Sequence, residues 1–362
     1  MSRLLLSLLA ACLVALAGAA LAAEPPSWPV QERDFTIGDF HFRSGETLPE
    51  LRIHYRTLGS PHYDAQHHIT NAVLLLHGTG GSGANFLQPS LGGELFGPGR
   101  PLDIARYYVI LPDGIGHGAS SKPSDGLRAK FPHYDYDDMV EAQHRLVKDG
   151  LKIDRLRLIL GTSMGCMHSF VWGETYPEEV AAMASFACLP VRIVGRNGLW
   201  RRMVIEAIKS DPAWQNGDYK EQPAQGLRVA SDFLQFVLFS PLVLQKQLTT
   251  PDEIEASQRQ KLAEDMAGRD ANDLLYQVDA SRDYDPSAGL EKITAQMLWI
   301  NSADDFINPP ELGIAQHEAP RLKHGSFVLL PIGENTHGHT TYNWAVAWQD
   351  RLAAFMTATE GK

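Results

Sequence analysis

Five short apolar segments occur along the chain, and each is followed by residues that favour loops. They cover residues 71–76, 107–111, 156–160, 296–300 and 327–330. Near-continuous apolar runs of this length are typical of parallel strands buried on both faces, and helical stretches lie between them. The pattern predicts an α/β fold with a doubly wound, mostly parallel sheet. Functional groups of such a sheet lie beyond the carboxyl ends of its strands.

One region interrupts this alternation. Residues 190–290 contain no convincing strand, but they carry helical patterns at 200–209 and 232–245. About a hundred helical residues between two strands predict an inserted lid. The core would then consist of residues 24–189 and 291–362.

The first 23 residues have the pattern of a secretory signal peptide. Arg3 precedes an apolar run over residues 4–23, Ala20-Leu21-Ala22 resembles a cleavage site, and a polar stretch with two prolines follows. The alternative is a retained anchor, because about 20 apolar residues can span a bilayer. We expect removal of this segment and a periplasmic or secreted protein with no later membrane span.

Charge and cysteine content narrow the class of protein. The 32 basic and 43 acidic residues give a net charge of −11, which disfavours a nucleic-acid partner. Three cysteines are too few for a disulfide scaffold or a four-thiolate zinc site. After signal removal only Cys166 and Cys188 remain, and we expect two free buried thiols rather than a disulfide. The oligomeric state stays open, a homodimer included.

Residues 161–165 carry the main candidate for chemistry. Gly-Thr-Ser-Met-Gly follows a predicted strand and opens a predicted helix, the context of a nucleophile elbow. Glycine at both flanks allows a very tight turn. Ser163 is thereby exposed at a helix N-terminus, where the helix dipole favours developing negative charge.

A serine nucleophile needs a base and an orienting acid, which follow in the order Ser, Asp, His in this type of fold. Asp304 and Asp305 follow one predicted strand, and His337 and His339 follow the next. A proline four residues on favours Asp305, and a preceding glycine favours His339, although both pairs stay open. The two histidines are also spaced as a metal pair, but further ligands are lacking, so we expect neither a metal nor another cofactor.

An oxyanion hole is predicted from two backbone N–H groups. His77-Gly78-Thr79-Gly80-Gly81 ends the first core strand, and its glycines let the backbone approach a substrate. The N–H groups of Thr79 and Met164 would then stabilise the oxyanion. The alternative of a phosphate-binding loop is disfavoured because its lysine is missing.

The chain resembles the homoserine O-acetyltransferase family of α/β-hydrolases over residues 48–350. The resemblance rests on I-H-Y-R-T-L-G at 53–59, G-P-G at 97–99, D-I-A-R-Y at 103–107, the elbow, A-I-K-S-D-P at 207–212 and G-D-Y at 217–219. It implies an α/β-hydrolase fold with a helical lid. It also implies Ser163, Asp305 and His339 as a triad that forms an acyl-enzyme.

Two substrate-binding positions depart from the family. The resemblance places an arginine at position 205 for the carboxylate of homoserine and an aspartate at position 340 for its amino group. This chain has Ile205 and Thr340. Losing two charge-assisted contacts would weaken recognition of homoserine well over tenfold.

These residues predict serine-dependent acyl transfer on a small-molecule acyl ester. Hydrolysis of a carboxylic ester with a neutral alcohol group is the expected reaction. An O-acyltransferase of the homoserine O-acetyltransferase type is the first alternative, and a non-catalytic small-molecule binding protein is the second.

Overall fold

The computed structural model describes residues 27–361, so the predicted signal peptide lies outside the described residues. One sheet of eight strands forms the centre of the molecule. The strands are β1 (Gln31–His41), β2 (Thr47–Leu58), β3 (Ala72–Leu76), β4 (Tyr108–Pro112), β5 (Leu158–Thr162), β6 (Ala182–Phe186), β7 (Gln296–Ser302) and β8 (Gly325–Leu330).

The spatial order of the strands is β1-β2-β4-β3-β5-β6-β7-β8. The pairs β1–β2 and β2–β4 are antiparallel, and all other pairs are parallel. The chain thus winds from β3 toward both edges, which confirms the predicted doubly wound, mostly parallel sheet. It carries an additional antiparallel hairpin, β1–β2, at one edge.

Ten α-helices cover the sheet and form the region above it. They are α1 (Gly92–Leu95), α2 (Tyr136–Arg145), α3 (Met164–Thr175), α4 (Gly195–Lys209), α5 (Ala224–Leu238), α6 (Pro241–Gln247), α7 (Pro251–Gly268), α8 (Ala271–Asp279), α9 (Ile314–Glu318) and α10 (Gln349–Ala358) in the described chain.

Alternate residues of the central strands belong to two separate cores. Leu74 of β3 packs with α2, α3 and the helices that follow β6, whereas Val73 and Leu75 pack with α1 and α10. This alternation explains why the strands read as continuous apolar runs in the sequence, because both faces of the sheet are buried.

The segment between β6 and β7 is helical, with α4 to α8. The helical pattern over 232–245 is divided in the structure, because α5 ends at Leu238 and α6 begins at Pro241 after a sharp turn. Within residues 27–361, no single helix is long and apolar enough to cross a bilayer. The bent pair α5–α6 reaches those limits only when both helices are counted together, with 105° between them.

Candidate active site

Ser163 occupies the sharp turn between β5 and α3. Its backbone angles, φ 52° and ψ −110°, lie in a region that residues with a side chain rarely adopt. The neighbouring glycines make this turn sterically feasible. A Cβ on Gly161 would lie 2.1 Å from the Gly165 carbonyl oxygen, and a Cβ on Gly165 would lie 2.0 Å from the Leu76 carbonyl oxygen. The tight packing therefore fixes the strained serine at the carboxyl end of the sheet.

A hydrogen-bonded chain links the serine to His339 and Asp305. The Ser163 Oγ lies 2.8 Å from Nε2 of His339, and Nδ1 of the same ring lies 2.9 Å from Oδ2 of Asp305. All three side chains are buried, Ser163 included, although the sequence pattern predicted an exposed serine. The structure thus brings together the three residues that the sequence and the resemblance predicted as the triad.

Asp305 is held as an ionised hydrogen-bond acceptor. Its Oδ1 accepts from the backbone N–H groups of Ile307 (2.8 Å) and Asn308 (3.0 Å), and its Oδ2 accepts from the Asn308 amide (3.0 Å). Burial by itself would raise the pKa of Asp305, but the neighbouring His339 and these donors lower it below its usual value. The carboxylate is therefore suited to orient an imidazole and to stabilise its positive charge.

Asp304 and His337, the other candidates for acid and base, do not take part in the hydrogen bonds that link Ser163, His339 and Asp305. Asp304 accepts hydrogen bonds from Ser302 Oγ and, at 3.0 Å, from the backbone N–H of Gly338. The ring of His337 stacks on Trp344, with ring centroids 4.4 Å apart. Burial lowers the pKa of His337, and Asp304 partly offsets this. Asp304 thus supports the histidine loop, and His337 packs beside it.

The predicted oxyanion donors belong to the loop that packs against the serine and to the residue that follows it. A Cβ on Gly78 would be 3.3 Å from Ser163 Cβ, which places the loop after β3 against the nucleophile. Among residues 27–361, neither the Thr79 N–H nor the Met164 N–H has a protein acceptor. These groups are therefore available for a negatively charged oxygen.

His77 positions this loop, a function that the sequence analysis did not assign. Its Nε2 accepts from the backbone N–H of Gly114 at 3.0 Å, so its proton is on Nδ1, which donates to the Gly78 carbonyl at 2.9 Å. Burial lowers the pKa of His77, which keeps the ring neutral. A histidine directly after a core strand and before the glycine loop was the available signal.

Two cavities lie near the nucleophile, and Ser163 lines the first of them. The first, of about 370 Å³, is lined by Ser163, His339 and, among others, residues 187–189 and 191–197. The second, of about 250 Å³, is lined by the loop after β3 and by Thr340. Ile205 is buried and does not line the cavity that contains Ser163. It lines a neighbouring one, which shares Ile193 and Arg201 with the first.

The two cysteines form a disulfide, so the prediction of two free thiols was wrong. Their Cα atoms are 5.9 Å apart, within the range of a bridge. Cys166 lies in the first turn of α3 after β5, and Cys188 follows β6. The two meet because β5 and β6 are paired parallel neighbours. Cys188 also lines the first cavity, so the bridge joins the nucleophile helix to the pocket wall.

Among the described residues, no three His, Cys, Asp or Glu side chains are arranged to hold a metal ion.

Comparison with known proteins places this geometry in context. Residues 71–325 match the model of the alpha/beta hydrolase fold family. A homoserine O-acetyltransferase of Haloferax volcanii is 30% identical, the alignment covering 88% of this chain and 86% of the relative. A homoserine O-acetyltransferase of Pelobacter propionicus is 29% identical over 86% of this chain and 92% of the relative.

Solved structures share the fold at lower identity. Esterase E22 superposes with a TM-score of 0.79 at 21% identity and covers 90% of this chain and 100% of its own. A homoserine O-acetyltransferase of Bacillus anthracis gives a TM-score of 0.77 at 20% identity, covering 90% of this chain and 97% of its own.

Proposed function

Since this chain belongs to the alpha/beta hydrolase fold family, in the branch that contains the homoserine O-acetyltransferases, we propose that it transfers acyl groups through a covalent intermediate on Ser163. The enzyme class follows from the family. The observation that carries the mechanism is the continuous chain from Ser163 Oγ through the His339 ring to Asp305.

The acylation step uses each member of this chain. Ser163 Oγ attacks the carbonyl carbon of an acyl ester while its proton moves to Nε2 of His339. The carbonyl oxygen becomes negatively charged and accepts from the N–H groups of Thr79 and Met164. His339 then returns the proton to the leaving alcohol oxygen, the ester bond breaks, and the acyl group stays on Ser163.

The deacylation step distinguishes two reactions. If an alcohol attacks the acyl-enzyme, a new ester forms and the protein is an O-acyltransferase. If water attacks, a carboxylic acid is released and the protein is an esterase. Transfer is our leading proposal because the relatives similar over most of the chain are acyltransferases. The cavity that contains Ser163 and the one that borders Gly78 and Thr162 also offer separate space for an acyl group and an alcohol.

Hydrolysis remains the second candidate, and specific residues favour it. Ile205 and Thr340 stand where the family has charged contacts to homoserine. Homoserine in the binding mode of the family is therefore not the proposed acceptor.

We further propose a location outside the cytoplasm, supported by the signal-like segment at residues 1–23 and by the Cys166–Cys188 bridge, since disulfides persist in oxidising compartments.

A labelling experiment tests the acyl-enzyme. A fluorophosphonate should react with Ser163, and the adduct should be absent from Ser163→Ala. A folded wild-type protein without label on Ser163 would overturn both reactions and leave a binding protein. Transfer is then separated from hydrolysis with p-nitrophenyl acetate and increasing concentrations of an alcohol. A transferase forms the acetylated alcohol at the expense of free acetate, whereas an esterase releases acetate throughout.

A further inference from the structure

Arg201 is a buried cation in the cavity that contains the nucleophile. It is only 7% exposed, and it lines the first cavity together with Ser163 and His339. It also borders the neighbouring cavity that Ile205 lines. Its protein partners are neutral. Nε donates to Asn197 Oδ1 at 3.0 Å, and Nη1 donates to Ser281 Oγ at 2.9 Å. The guanidinium also lies over the Trp200 ring, 4.7 Å from its centroid.

No counter-ion accompanies this charge in the described chain. Among residues 27–361, no carboxylate oxygen lies within salt-bridge distance of Arg201. Burial lowers the pKa of Arg201, and the nearby Tyr136 hydroxyl offsets part of this shift. A guanidinium nevertheless stays protonated in proteins. An uncompensated buried charge destabilises the fold, and a bound anion would remove that penalty.

The rest of the cavity is consistent with an acidic ligand. Two further arginines line it, and Arg196 donates to the backbone carbonyl of Phe306 rather than to an acid. Arg192 pairs with Asp285 at 3.1 Å. Glu311, which is exposed, is the only acidic side chain among the described lining residues. A chain with a net charge of −11 thus concentrates positive charge at its nucleophile.

The register of α4 explains how the charge reaches the cavity. Residues 200, 201, 204, 205 and 208 form its buried stripe, whereas Arg202 is exposed. Arg201 lies one helical turn before Ile205 on the same face. A positive charge is therefore present on this face of the lid although position 205 is apolar.

We propose that Arg201 binds a carboxylate of the substrate, so that the enzyme acts on esters carrying an acid group near the reacting carbonyl. This inference rests on the acyl transfer proposed above. Position 340 is a threonine. Among the described residues that line the first cavity, the exposed Glu311 is the only acid, so that cavity lacks a buried partner for an ammonium group. The substrate class is therefore a hydroxy acid ester or a dicarboxylic half-ester, and not an amino acid.

Two matched pairs of esters test this inference and locate the acid. The alcohol-side pair is 4-acetoxybutanoate and 4-acetoxybutanamide. The acyl-side pair is monoethyl glutarate and its terminal amide. We expect wild-type kcat/KM to favour the acid over the amide by about 10- to 100-fold in one pair, the range of a charge-assisted hydrogen bond. Arg201→Gln should abolish that preference, and Arg201→Lys should keep part of it.

Controls separate this inference from the proposed function. Arg202→Gln changes the exposed neighbour, which pairs with Glu206, and should keep the wild-type preference. If Arg201→Gln does not fold, protection of wild-type Ser163 from the fluorophosphonate by glutarate should exceed protection by glutaramide. If Ser163 is labelled but the wild-type enzyme shows neither a preference for the acid nor selective protection by glutarate, the role of Arg201 is overturned. The proposed acyl transfer is then unaffected. A preference that survives in folded Arg201→Gln would overturn the role of Arg201 as well.

Discussion

Replacing Asp305 by asparagine changes one atom of the triad, and the hydrogen bonds around it determine the result. Oδ1 accepts from two backbone N–H groups, so the amide oxygen of the variant must occupy that position. Its NH₂ group then faces Nδ1 of His339, at the 2.9 Å now spanned by Oδ2. An amide NH₂ can only donate, so Nδ1 must become the acceptor.

This exchange reverses the tautomer of the base. With Nδ1 accepting, the ring proton resides on Nε2, which lies 2.8 Å from Ser163 Oγ. Nε2 then donates to the serine and cannot take its proton. The same NH₂ group would also face the Asn308 NH₂ group, which loses this acceptor and keeps the Ala187 carbonyl. We expect kcat to fall about 10⁴-fold, the effect of amidating the acid in a Ser-His-Asp triad.

The adjacent residue supplies the matched control. The amide oxygen introduced by Asp304→Asn can still accept from the Gly338 N–H, so this variant should lower kcat less than about tenfold. His339→Ala should be at least as inactive as Asp305→Asn, whereas His337→Ala should keep most activity because its ring only stacks on Trp344. The assay is release of p-nitrophenol from p-nitrophenyl acetate, with melting temperatures to verify folding. An active Asp305→Asn beside an inactive Asp304→Asn would refute the assignment of the acid.

The sequence predicted those parts of the fold that depend on local pattern. The buried strands read as apolar runs because both faces of the sheet are covered. The hairpin of β1 and β2 was missed because β1 is a polar edge strand with most of its residues exposed. The elbow was recognisable because its glycines are required by contacts only a few residues apart or with the adjacent strand.

Features that depend on distance or on the register of a helix could not be predicted from the sequence. The Cys166–Cys188 bridge depends on how close two neighbouring strands bring their ends, which no spacing reveals. Arg201 and Arg202 are adjacent and identical in the sequence, and only the rotation of α4 buries one of them. The resemblance implies a charged contact at position 205, but Ile205 lies outside the cavity that contains Ser163. Arg201, one helical turn earlier, lines that cavity and supplies the positive charge.

The remaining predictions concern the bridge, the oxyanion loop and a buried acid. Thiol titration of the denatured, unreduced mature protein should find no free thiol. Replacing Cys166 and Cys188 by serine should lower the free energy of unfolding, measured with urea, by about 3 kcal/mol, for a sequence separation of 22; an unchanged value would contradict a structural bridge. His77→Ala removes the bonds that hold Gly78, so kcat and the rate of fluorophosphonate labelling should both fall about 10- to 100-fold, with KM changing less. A rise in KM as large as the fall in kcat would instead indicate damage to substrate binding. Burial raises the pKa of Glu174 to about 7, and Lys292 only partly offsets this. The folded protein therefore holds a proton that the unfolded chain releases near pH 4.5, so this group lowers stability as pH rises from about 4.5 to about 7. Glu174→Gln should raise the melting temperature at pH 8 and leave it nearly unchanged at pH 4, and an equal shift at both pH values would refute the assignment.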